Sequence, residues 1–136
     1  MTPEQIDLPI HTTADVERAH QLVRAFSRDA GLTGRDVDEL VLATSEIARN
    51  LLKHTSAGGS VSISRIEVNG EQVVQIEIRD SGPGIPDIGL ALQEGYTTGS
   101  GLGSGLSAAR RNVDTFTIDS SSEGTTIRLH KRIKRS

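Results

Sequence analysis

Residues 60–80, SVSISRIEV-NGE-QVVQIEIRD, limit the possible folds more than any other stretch of the chain. Asn69-Gly70 stands between two runs in which apolar and polar residues alternate. An Asn-Gly pair so placed predicts an antiparallel β-hairpin. In the second run Val74, Ile76 and Ile78 share one face, and the period of two puts Asp80 on that face as well. An inward carboxylate needs a partner, because burying it unpaired is costly. The chain continues as SGPGIPD. Gly82 and Gly84 remove side chains so that a flat ring can lie against the backbone, while Pro83 and Pro86 stiffen the turn. A purine's exocyclic amine would be a natural donor to Asp80. A tight DSGPG turn in which Asp80 caps backbone amides satisfies the same residues.

The hairpin needs a covering layer, and the flanking sequence supplies one. QIDLPI (5–10) reads as a first strand, at an edge because of Pro9. Thr13 is the expected cap of a helix with Val16, Ala19, Leu22, Val23 and Phe26 in an apolar stripe, ending near Gly31. A second helix opens at Thr33 or Gly34, carries Val37, Leu40, Val41, Ile47 and Leu51 toward a core, and runs to about Thr55, where SAGG breaks it. After the hairpin come a short, helix-compatible piece (87–95), a glycine-rich segment turning helical (97–114), and two strands (115–121 and 124–132). The basic end KRIKRS reads as a solvated tail. The order β-α-α-β-β-loop-α-β-β predicts an α+β, two-layer sandwich: helices on one face of a mixed, mostly antiparallel sheet. A single domain over residues 1–136 is expected, of a size that buries its own core.

Composition narrows the function. With no cysteine, disulfides and thiolate metal sites are excluded. A net charge of −3 and only three aromatic residues (Phe26, Tyr96 and Phe116) argue against a nucleic-acid partner. No apolar run approaches a membrane span and the polar start is no signal peptide, so a soluble, cytoplasmic protein without membrane partners is expected.

Two further motifs accompany Asp80. In ATSEIARNLLKHT, Glu46 and Asn50 are four apart and stack on one helical face beside the apolar stripe. Asn50 offers a neutral oxygen suited to Mg²⁺, and Glu46 can accept a proton from an attacking hydroxyl. An exposed Glu–Asn pair without a role is the other reading. His54 continues the line, either toward the site or as a surface residue near a helix end. In GSGLGSGLSAARR, glycines 99, 101, 103 and 105 lead into a helix, an arrangement in which backbone N–H groups surround phosphate oxygens. It is neither a Walker A loop nor a Rossmann fingerprint. A flexible linker is the competing reading, but a linker does not normally open a helix. EGTT (123–126) places Thr125 at a strand start, within reach of Asp80 or a bound purine.

In this order, SEIARNLLKH, DSGPGIP, GSGLGSGL and EGTT resemble the N box, first glycine box, second glycine box and threonine-bearing strand of the GHKL superfamily of ATP-binding proteins, over Val37 to Leu129. The resemblance implies the Bergerat ATPase fold with ATP and Mg²⁺ as cofactors. It assigns Glu46 as catalytic base, Asn50 as the Mg²⁺ ligand and Asp80 as the adenine acceptor. Gly82, Gly84, Ile85 and Thr125 join Asp80 around the nucleotide, Gly101, Leu102, Gly103, Ser104, Gly105 and Leu106 form the phosphate loop, and residues 87–100 form an ATP lid. At this size the chain looks like a small anti-sigma-factor-type serine/threonine protein kinase, most similar to the RsbT-type switch kinases of stressosomes, as the ARN of SEIARN and the GPGIPDI run suggest. Such proteins are thought to phosphorylate STAS-domain proteins and then to activate a PPM-type phosphatase, a partner-switching role in stress response. An anti-sigma factor or ATP-sensing module that binds a sigma factor or phosphatase stoichiometrically is the alternative; a standalone ATPase is a weaker third. Residues 87–100 contain no Lys or Arg, so the γ-phosphoryl contact would fall to Mg²⁺, backbone amides and Arg110 or Arg111.

Overall fold

Asn69 and Gly70 turn the chain with φ of 52° and 82°, the paired positive values of the tight turn that matches strand twist. The computed structural model describes residues 5–54, 58–80, 109–121 and 124–134. The element order is β1 (Gln5–Ile10), α1 (Thr13–Ala30), α2 (Gly34–His54), β2 (Gly59–Val68), β3 (Glu71–Asp80), β4 (Thr115–Ser121) and β5 (Gly124–Arg132). The strands lie in the order β1-β2-β3-β5-β4, and the pairs are antiparallel throughout, so the expected mixed character has no counterpart among the described strands. β1, with Pro9, is an edge as expected.

One sheet face is apolar and meets the helices. Ile10, Val61, Ile63, Val74, Ile76, Ile78, Ile127 and Leu129 pack with Val23, Phe26, Val37, Leu40, Ile47 and Leu51. Each such side chain contributes about 1.5–3 kcal/mol on burial, so this one layer of contact dominates the stability. The opposite face is polar and cross-linked: Ser62 donates to Asp7 (2.6 Å), and Glu77 bridges Arg128 (2.8 Å) and Arg79. No helix among the described residues is long and apolar enough to cross a membrane.

Local chemistry sets the helix limits. The cap of α1 is Thr12, one residue before the Thr13 expected from the sequence. Thr12 Oγ1 accepts from Asp15 N–H, while the Asp15 carboxylate accepts from the Thr12 and His11 N–H groups, a reciprocal capping box. Thr13 cannot compete, because Asp15 stands three residues after Thr12. Gly31, at φ 107°, closes the helix with Leu32 N–H reaching the Ser27 carbonyl. Thr33 caps α2 through Asp36 N–H (3.3 Å).

The basic end is not wholly a solvated tail. Lys131 is buried on the core face of β5, opposite Val74. Its Nζ donates to the Asn112 carbonyl (2.9 Å) and lies 3.8 Å from Asp36 and 3.7 Å from Glu39. Period-two alternation from Ile127 and Leu129 carries Lys131 inward, and the acids of the first turns of α2 meet it there.

Candidate nucleotide site

The last described residue of β3 is Asp80, on the face of Val74, Ile76 and Ile78. The strand register sets two residues directly opposite it, Gly59 on β2 and Thr125 on β5. Asp80 is half-buried and Thr125 buried, so an acid and a hydroxyl residue stand side by side at the helix-facing end of the sheet. Both already take part in interactions within the chain.

Sequence reading treated Gly59 only as part of a helix breaker, yet it determines the geometry here. A Cβ on Gly59 would collide with the Arg79 carbonyl oxygen and stand 2.8 Å from Leu51 Cδ1. Its absence lets the end of α2 settle onto the strand ends beside Asp80. Leu51 directly follows Asn50, so the part of α2 that carries the Asn50 side chain ends at the strand ends of which Asp80 is one.

Within α2, Ile47, Ala48 and Leu51 are buried, as expected, and the two polar residues beside them differ from each other. Asn50 is only 6% exposed, and its Nδ2 has no hydrogen-bond partner among the described residues. A buried amide with an unmet group calls for something outside those residues. An amide can present its oxygen instead by turning over, and a neutral oxygen suits a hard cation that also takes phosphate oxygens. Asn50 therefore fits the Mg²⁺ role. Glu46 is half-exposed, and Arg49 Nη2 donates to its Oε1 at 2.5 Å. That pairing was missed in the sequence, although the i,i+3 spacing makes it legible.

Gly82, Gly84, Ile85, Gly101, Leu102, Gly103, Ser104, Gly105 and Leu106 lie outside the described residues, as do the lid segment and the His54 side chain. The helical turn at 109–111 follows the glycine loop and has Arg110 and Arg111 exposed.

The family model described as the histidine kinase-like ATPase domain matches residues 11–131. The chain belongs to that family. It is 33% identical over 132 residues to the serine/threonine-protein kinase RsbT of Bacillus subtilis, covering 96% of this chain and 98% of that protein. It is 36% identical over 126 residues to the anti-sigma F factor of Bacillus licheniformis, covering 87% and 84% of the two chains. Among solved structures, the RsbU and RsbW domains of Rv1364c from Mycobacterium tuberculosis superpose with a TM-score of 0.70 at 21% identity, over 99% of this chain and 34% of that one. The SiaB–SiaC complex of Pseudomonas aeruginosa gives 0.61 at 15% identity, over 93% of this chain and 87% of that one. At these identities both show likeness of fold alone.

Proposed function

We propose that this ATPase domain is an ATP- and Mg²⁺-dependent protein serine/threonine kinase that phosphorylates STAS-domain proteins and, by switching partners, activates a PPM-type phosphatase. The observation that carries the reading is Asn50: a buried amide whose Nδ2 has no partner among the described residues, one helical turn from a half-exposed carboxylate, on the helix that packs beside Asp80. The near full-length similarity to a serine/threonine kinase supports the same conclusion.

In this reading Asp80 accepts from the adenine amine, with Thr125 beside it, and Asn50 gives its oxygen to Mg²⁺. The metal, when bound, offsets negative charge on the phosphate oxygens. Gly82, Gly84 and Ile85 line the adenine and Gly101 to Leu106 the phosphates. Glu46 takes the proton of the acceptor Ser or Thr hydroxyl as its oxygen attacks the γ-phosphorus. Half-exposure suits Glu46 to this task, because the acceptor arrives from outside.

Incubation with γ-labelled ATP and the STAS domains of the source organism tests the reading. Label should appear on a STAS serine or threonine, and Glu46→Ala should reduce transfer by about 100-fold or more, the size of a general-base contribution. Full transfer by Glu46→Ala would overturn it. The similarity to anti-sigma F factors favours a second reading, stoichiometric capture of a sigma factor. If the Glu46→Ala protein switches its partner as fully as wild type, that second reading replaces the first.

A further inference from the structure

Arg49 and Asn50 flank Glu46 on opposite sides of the helical stripe, about 60° to one side and about 40° to the other at 3.6 residues per turn. The Arg49 guanidinium, donating to Glu46 Oε1 at 2.5 Å, thus draws the carboxylate toward the exposed flank and away from the Asn50 flank. Arg49 itself is 53% exposed. About two turns earlier on the same outer stripe is Leu42, the one large apolar residue exposed among the described residues, at 47%.

We propose that Arg49 is a positioning residue for phosphoryl transfer: in the free protein it holds the Glu46 carboxylate outward, and an acidic group on the docking phosphoacceptor protein takes over the guanidinium and frees Glu46 to turn to the acceptor hydroxyl. The inference rests on the kinase reading. Exposed ion pairs contribute little net stability, so a partner's carboxylate can exchange with Glu46 at small cost. Leu42 gives the same partner an apolar contact beside the exchange. The step balances without a further reactant. The acceptor oxygen–phosphorus bond forms, the bond from the γ-phosphorus to the bridging oxygen breaks with its electron pair going to ADP, and the hydroxyl proton goes to Glu46. Without an acceptor the same arrangement disfavours water as nucleophile, since the base is turned away.

The test uses the full chain with Arg49→Gln and Arg49→Lys. Three quantities are read: ATP hydrolysis without acceptor, and kcat and KM for the STAS domain that takes label in the assay above. For Arg49→Gln, acceptor-independent hydrolysis should rise about two- to five-fold, matching the small free energy of an exposed pair. The KM for the acceptor should rise about ten-fold with kcat nearly unchanged, as expected when binding alone is weakened. Arg49→Lys, which keeps the charge, should restore most of both. Unchanged hydrolysis and KM in Arg49→Gln, or a fall in kcat at constant KM, would overturn the proposal. If wild type labels no STAS domain while Mg·ATP still raises its melting temperature, the kinase reading fails and takes this inference with it. That outcome is distinct from active wild type with indifferent Arg49 variants.

Discussion

A buried polar group without a partner costs about 1–3 kcal/mol, and Asn50 Nδ2 has none among the described residues. Asn50→Leu, which keeps the volume and removes the unmet donor, should therefore stabilise the nucleotide-free chain by about 1 kcal/mol. The same change should remove the Mg²⁺-dependent part of stabilisation by ATP. Thermal shifts with and without nucleotide and metal check both halves, and a less stable apo variant would show that the amide is already satisfied. At this scale the sequence was legible where a residue sits in a strongly periodic element. Glu46, Asn50, Asp80 and Thr125 could be placed by spacing alone, and the strand register sets the last two opposite each other. Gly59 could not be read that way. Its need arises from the Arg79 carbonyl of the paired strand and from Leu51 of the preceding helix closing on it together, contacts that no local pattern encodes.

The elements themselves followed from apolar period and turn chemistry, apart from details fixed by side-chain reach. The cap of α1 moved to Thr12 because Asp15 can return its bond only there. Lys131 was hidden among basic neighbours, and its burial depends on β5 bringing it under the start of α2. Lys134 Nζ also approaches Asp36 Oδ2, at 3.4 Å. Removing one member of a buried ionic set leaves the other charged and unpaired. Lys131→Met should thus cost about 3 kcal/mol in urea unfolding, while the double change Lys131→Met with Asp36→Asn should recover a large part of it. Equal losses in the single and double variants would mean that Lys131 acts through packing alone.

For the whole molecule, pH reports on the open sheet face. Burial, and then the Arg128 charge, holds His130 below its ordinary 6.5, with its Nε2 2.8 Å from Gln75 Oε1. A histidine whose folded pKa is depressed binds its proton more readily in the unfolded chain. Its contribution to stability is present above 6.5 and is lost as pH falls through the folded value. Asp15, held below 3.8 chiefly by the His11 N–H, responds only in stronger acid, so the two effects separate. Denaturant midpoints should fall between about pH 7.5 and about pH 5 in wild type, and His130→Gln should flatten that slope. An unchanged slope would assign the effect to other groups.

The helix bearing Glu46 and Asn50 is clamped at both extremities, by Lys131 and Lys134 at its start and by the Gly59 contact at Leu51 toward its finish. A girder pinned twice neither slides nor pivots cheaply. News of an arriving protein must then travel by the swing of single side chains over a stationary frame, and backbones captured alone and in complex should coincide along its whole length.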